Sequence, residues 1–328
     1  MSDTKILSVS SSPHIRDAAN TRGIMRDVLI ALAPALLVSV YMFGLRALAV
    51  VFVSVASAVF FEWVYRKAMK KPSTTGDLSA VVTGTLLAYC LPAGVPLWLP
   101  IVGAAFAIVF VKQLFGGLGS NFMNPALAGR AFLFSWPRFM TTWMAPHSYT
   151  SLFNFGGDAV SSATPMASLH TGTLPASSLS DMFFGNIGGS LGEVSAAALL
   201  LGGVYLIFRR VISPRIPVSY LATVAVLTLV FPKGGDALTW MLYNLLGGGL
   251  MLGAIFMATD YATSPVTHKG QIIFGIGCGL LTVFIRYFGS YSEGVSYAIL
   301  IMNACVRLID RNTQPRRFGV AAKKGGKA

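Results

Sequence analysis

Apolar runs long enough to cross a lipid bilayer recur along almost the whole of this 328-residue chain, and most of its charges fall between them. A bilayer core about 30 Å thick takes roughly 20 helical residues, and inside it the backbone must satisfy its own hydrogen bonds. The composition agrees, with 54% hydrophobic and 11% charged residues and a mean hydropathy of +0.67. A soluble domain would carry about a quarter charged residues. The fold class expected is an all-α polytopic membrane protein. No signal peptide is expected, because MSDTKILSVSSSPHIRDAANTRGIMRD stays polar and basic for too long before the first apolar run.

Ten spans are predicted, near 26–43, 46–65, 77–91, 97–115, 122–136, 191–208, 217–231, 238–258, 271–288 and 294–309. The third, fifth and seventh are short and lie beside Gly/Pro-rich stretches, as tilted or broken helices lining a protein interior do. With the N-terminus inside and the spans alternating, only Arg46, Arg138, Lys233 and Arg286 of the 25 Lys and Arg fall outside. Basic residues collect on the cytoplasmic side, so this bias places both termini in the cytoplasm. It also accounts for the net charge of +13 without nucleic acid as a partner. The segments expected are a cytoplasmic stretch 1–25, a first membrane half 26–136, an outer loop 137–190, a second half 191–310 and a basic cytoplasmic tail 311–328.

A faint repeat pairs LPAG at 91–94 with FPKG at 231–234, and NP at 124–125 with SP at 264–265, both at an offset of 140. Two halves of five spans each would have opposite orientations, so an inverted repeat is expected, with a site at its interface.

Three features could carry chemistry. GGLGSNFMNPALAGRAFLF, from Gly116 to Phe134, sets four glycines before Asn121, Asn124 and Pro125, then a short helix bearing Arg130. Pro125 suits the first helical turn and Asn124 the cap. A helix start inside the membrane offers free amides to an anionic or carbonyl-rich ligand, although the glycines also suit plain helix packing. Arg130 and two asparagines at membrane depth need partners, which favours the functional reading.

The second feature is the set of acids in or beside the spans: Glu62, Asp77, Glu193, Asp260, Glu293 and Asp310. An intramembrane carboxylate is a candidate ion ligand or proton carrier. Asp77 and Asp260, among hydroxyls at span ends, are the better candidates, with Glu293 and Asp310 also on the ion path. For Glu62, Glu293 and Asp310 an interfacial position in contact with water is an equal alternative. The three cysteines, Cys90, Cys278 and Cys305, form no CxxC pair and suit interior packing, so no metal or iron–sulfur site is expected.

The third is the outer-loop stretch DAVSSATPMASL, Asp158 to Leu169. It has no GxSxG elbow and no catalytic His or Cys, and by itself it reads as a loop. No catalytic residue is assigned.

LPAGVPLWLP, KQLFGGLGSNFMNPALAGRAF, GNIGGSLGE and GAIFMATDYATSPVT together resemble the RnfD/NqrB family over nearly the whole chain. The likeness is to the RnfD component of the Rnf ferredoxin–NAD oxidoreductase complexes and to the NqrB component of the sodium-translocating NADH–quinone reductase. The short polar N-terminal segment favours the Rnf type. The resemblance implies a bacterial inner-membrane redox subunit that passes electrons and is coupled to sodium or proton transport. It would act with other Rnf subunits, including an FMN-bearing extracytoplasmic one and cluster-bearing ones. It also implies covalent FMN, attached by a phosphoester to a threonine in the pattern Asp, two variable residues, Ser, Gly, Ala, Thr. Here that pattern reads from Asp158 through Ser161 and Ser162 to Thr164, with Ser162 standing where the family has Gly. Pro165 disfavours a helical Thr164, and a separate enzyme would install the flavin, so the loop needs no acid–base residue of its own. A second, non-covalent flavin, riboflavin, is implied within the bundle, with Gly116–Arg130 as its expected lining. A flavin-free transporter of the same fold is the alternative from another class.

Overall fold

The computed structural model describes residues 20–147, 164–289 and 293–315, and among these the regular structure is helical, with one isolated β-bridge between Pro92 and Ser190. The first half runs α1 (Thr21–Phe43), α2 (Leu45–Ala68), α3 (Ser79–Tyr89), α4 (Trp98–Ala105), α5 (Pro125–Leu133) and α6 (Pro137–Met140). From Thr164 onward come α7 (Pro165–His170), α8 (Leu179–Phe184), α9 (Ala196–Phe208), α10 (Arg215–Val230), α11 (Ala237–Leu246), α12 (Leu250–Leu252), α13 (His268–Phe288) and α14 (Val295–Thr313). α4 continues into a π-helical stretch, Phe106–Gln113, and α12 into another, Gly253–Met257.

Local chemistry sets the ends. The Asn20 side chain accepts from the Gly23 N–H at 2.7 Å to open α1, and Gly44 at φ +69° turns the chain directly into α2. Each of the ten expected spans contains helix, but the lengths differ from expectation. α1, α2 and α13 are long and apolar enough to cross a membrane, and α11 with α12 and its π-helical extension would make a fourth span bent by 62°. Gly248 and Gly249, both at φ +66°, supply that break. α5 has only nine residues against the expected 122–136. The sixth segment, expected from 191, becomes helical only at Ala196. Residues before it instead pair with the turn after α3, through Leu191 N–H to Leu91 O at 3.0 Å and Gly192 N–H to Tyr89 O at 2.9 Å.

α10 packs on α13, α2 on α3, and α1 on α9. Small residues allow these approaches: a Cβ at Gly279 would lie 2.6 Å from the Thr223 side chain, and one at Gly84 2.8 Å from the α2 backbone. Leu87, Leu91, Tyr220, Trp240 and Phe274 fill the core, while Leu37, Phe52, Phe208 and Phe288 point outward as lipid-facing side chains do. The chain is thus a membrane protein with several apolar helices.

Candidate functional site

Two polar regions lie within the helical packing, one beside Thr164 and one beyond the opposite end of α5. Pro165 occupies the first position of α7, and Thr164 precedes it as the N-cap, extended at φ −72°, ψ 150°, as expected from the following proline. Its side chain makes no capping hydrogen bond, so the hydroxyl is not committed to the helix it precedes. Thr164 is buried, 8% exposed, at the edge of a cleft it shares with Gly188, Gly189, Gly248, Glu193 and Glu293. Asp158, Ser161 and Ser162 lie outside the described residues.

Below Thr164 the charged residues converge. Arg130 Nη1 donates to Ser296 Oγ at 2.8 Å and to Glu193 at 3.3 Å, and its Nη2 donates to Glu293. The partners that Arg130 requires are therefore supplied from segments far from it in sequence. Arg286, on α13, donates to the carbonyls of Asn244 (2.6 Å), Gly247 (3.0 Å) and Glu293 (3.1 Å), tying the α11–α12 break to the start of α14. His170 Nδ1 lies 3.0 Å from the Arg286 carbonyl, so it braces this corner. Gly192 and Gly249 make the corner possible. A Cβ at Gly192 would run into the Tyr89 ring, and one at Gly249 into the Glu193 carboxylate.

At the other end of α5 a cavity of about 760 Å³, including its open mouth, is lined by Lys112, Asn121, Asn124, Ser79, Phe256 and Asp260, among others. Asn124 caps α5 as expected, its Oδ1 accepting from the N–H groups of Ala126 (3.0 Å) and Leu127 (3.3 Å). This corrects the expectation of free amides there: the cap has already satisfied two of them. Asn124 Nδ2 donates to Met257 O at 3.2 Å, and Asn303, with its amide oriented to satisfy both sides, accepts from the Asn124 N–H. Asn121 donates to Met123 O at 3.1 Å, while its Oδ1 is buried without a partner among the described residues. The expected grouping of Asn121, Asn124 and Arg130 divides, because six helical residues separate the last two by about 9 Å along α5. The asparagines face this cavity and Arg130 faces the Thr164 corner.

Beside the cavity, Lys112 Nζ donates to Glu62 at 2.9 Å and to Ser79 Oγ at 2.6 Å, while Gln113 and Thr74 donate to the other Glu62 oxygen at 3.0 and 2.6 Å. Glu62 is fully buried, which overturns its interfacial reading: the π-helical stretch carries both Lys112 and Gln113 into it. Asp77 is half-buried and joins the same network through Ser79, accepting from its N–H (2.8 Å) and hydroxyl (2.6 Å). Asp260 accepts from the Thr263 hydroxyl at 3.1 Å at the cavity wall. Asp310 holds the Val266 N–H at 3.2 Å before α13, away from both regions. Four cations that the orientation argument treats as loop charges, Arg46, Lys112, Arg130 and Arg286, are buried; without them the inside bias of the remaining Lys and Arg persists. Lys112 and Arg286 carry central contacts to which the sequence alone assigns no role. Arg286 within GLLTVFIRYF was the available signal, a lone charge in an apolar helix.

Short and broken helices around paired interior charges and a polar-lined cavity define a multi-helix membrane protein. Residues 8–319 match the family described as NQR2, RnfD, RnfE, and the chain belongs to that family. It is 53% identical to the D component of the Na(+)-translocating ferredoxin:NAD(+) oxidoreductase complex of Acetobacterium woodii, over 98% of each chain. It is 43% identical to the D component of the proton-translocating ferredoxin:NAD(+) oxidoreductase complex of Clostridium ljungdahlii, over 96% of each. It is 36% identical to the D component of the ion-translocating oxidoreductase complex of Ectopseudomonas mendocina, over 94% of this chain and 95% of that one.

Proposed function

We propose that the chain is the RnfD component of an ion-translocating ferredoxin–NAD oxidoreductase, with FMN joined to Thr164 by a phosphoester. The observation that carries the flavin reading is the setting of Thr164. It has an extended backbone and a hydroxyl uncommitted to its helix, at the edge of a cleft lined by glycines. Near-full-length similarity to three D components of such complexes supports the assignment to the complex. When bound, FMN supplies the electron-transfer chemistry, and the protein supplies position and electrostatics. Riboflavin is assigned to the cavity at the start of α5, where the orphaned Asn121 Oδ1 is available to accept from a ligand N–H or hydroxyl.

The proposal includes ten spans in two inverted halves, with Thr164 on the outer face. Contacts of α1 with α9 and of α5 with α14 support it, since an axis relating the first span to the sixth and the fifth to the tenth brings such pairs together. The offset of 140 is a different relation: it shifts by four spans, not five.

The test is in-gel flavin fluorescence of the protein produced with its flavin transferase. A fluorescent band on a denaturing gel, absent in Thr164→Ala, is expected. A dark wild-type band would favour the flavin-free transporter. Ser162→Gly should raise loading if the extra hydroxyl impedes the transferase. Mass spectrometry of co-purified partners separates the Rnf type from the quinone reductase, by a cluster-rich ferredoxin-type partner in the first case. Asp77 and Asp260 are proposed on the path of the coupling ion, because Asp260 lines this cavity and Asp77 joins the Lys112 network beside it through Ser79. Asp260→Asn is expected to reduce ion uptake by reconstituted complex by at least tenfold while flavin loading stays intact. Uptake unchanged in both Asp77→Asn and Asp260→Asn removes them from the path.

A further inference from the structure

The start of α1 and the end of α9 meet around a pocket of about 1350 Å³, including its open mouth. Four arginines line it, Arg22 and Arg26 from α1 and Arg209 and Arg210 from the end of α9. Asp27 is the one acid in the lining; it is buried, and Arg209 already engages it through Nε at 3.3 Å and Nη2 at 3.2 Å. Arg22, Arg26 and Arg210 are exposed and form no ion pair among the described residues.

The backbone makes this convergence of cations costly while the pocket is empty of an anion. Arg22 and Arg26 lie in the first two turns of α1, at the positive end of the helix dipole, where acidic residues are favoured. Arg210 sits at φ +57° in the turn that closes α9, with its N–H on Ile207 O at 3.0 Å and the Val211 N–H on Leu206 O at 2.9 Å. Glycine suits that position, and arginine is strained there. All four cations are guanidinium groups, whose planar forks match phosphate oxygens in pairs.

The apolar flank selects the kind of anion. Leu201, Val204 and Phe208 of α9 are 65%, 64% and 85% exposed, and their spacing of three and four places them on one helix face. Phe208 adjoins Arg209, and the three residues cover about 10 Å along the axis. We propose that the pocket binds the phosphate of an anionic phospholipid, with an acyl chain lying along Leu201, Val204 and Phe208. The headgroup bridges α1 and α9, and so ties the first helical segment to the sixth. A free phosphate would satisfy the arginines but leave the apolar track uncovered, and an acidic protein surface would do the same.

Native mass spectrometry of the delipidated, detergent-solubilised complex tests this, with phosphatidylglycerol, phosphatidylcholine and inorganic phosphate as probes. Phosphatidylglycerol should bind at least about tenfold more tightly than phosphatidylcholine, and each arginine removed should weaken it roughly fivefold. Arg22→Gln/Arg26→Gln should therefore lose most of the preference, while Arg307→Gln/Arg311→Gln, on the exposed end of α14, should keep it. Equal loss in the two double variants would mean diffuse surface attraction and overturn the proposal. Equal binding of the two lipids would also overturn it, as would displacement of phosphatidylglycerol by an equal concentration of inorganic phosphate. Absence of saturable phosphatidylglycerol binding to the complex would sink it too, leaving the pocket to an acidic protein partner. Arg210→Gly keeps the test decisive if the first double variant fails to assemble. Without lipid its thermal midpoint should match or exceed that of the wild type, because glycine accepts the left-handed backbone. The rise that phosphatidylglycerol gives should be smaller than in the wild type, and an undiminished rise overturns the assignment.

Discussion

Lys112 and Glu62 show how a single residue's environment can reverse its apparent role. Each would be costly alone in the bundle, and each has its partner at 2.9 Å, with Lys112 donating also to Ser79 and Glu62 accepting also from Gln113 and Thr74. Removing one member of a buried pair typically costs about 3–5 kcal/mol, whereas replacing both by apolar groups is often nearly neutral. Lys112→Met should therefore lower the thermal midpoint of the detergent-solubilised protein more than the double variant Glu62→Leu/Lys112→Met does. A larger drop in the double variant would mean that the pair stabilises beyond mutual compensation. Neither residue's burial is readable from its neighbours in sequence, because RKAMKK follows Glu62 closely and QLFGGLG follows Lys112. Both contexts look like ordinary membrane edges.

At the scale of elements, α5 is the hinge between the two polar regions. Its start was legible, since Asn-Pro at a helix entrance has one physical reading and the structure has it capped by Asn124. What the start faces was not legible, because that depends on Met257 and Asn303 arriving from the other half. Asn124→Ala should cost about 1 kcal/mol for the cap. It should also loosen the contact with the second π-helical stretch, read as faster hydrogen exchange at Ala126 and Leu127. Exchange unchanged at those two amides would mean that the cap is dispensable. The α8 entrance behaves similarly. There the Ser178 hydroxyl and N–H, with Asn186, hold the Asp181 carboxyl below the usual carboxylate range. A depressed value means that its contribution is present above the unfolded value near 3.9 and fades as pH falls through the folded one. Protection of the Asp181 N–H should accordingly persist at pH 7 and diminish below about pH 4.

For the whole molecule, the orientation argument rests on surface charge, and a labelling experiment checks it. Ser73→Cys, beside Arg66, Lys67, Lys70 and Lys71, is expected on the cytoplasmic side. Thr173→Cys, shortly after α7, is expected on the outer side. A membrane-impermeant maleimide applied to intact cells should label position 173 and spare position 73 until the membrane is opened. The native Cys90 and Cys278 are buried and supply little background. The opposite pattern would invert the proposed topology and place Thr164 in the cytoplasm.

Sequence by itself determined that this chain is a membrane protein, where its longer helices lie, and which family its motifs belong to. Those properties follow from local composition and from short runs of residues whose chemistry is read in order along the chain. Only the tertiary structure decided which charges are surface and which are core, because a buried ion pair joins residues such as Arg130, Glu193 and Glu293 that share no local pattern. The same holds for the division of Asn121, Asn124 and Arg130 between two regions. A nine-residue helix has two ends, and only the packing around each end determines what lies there.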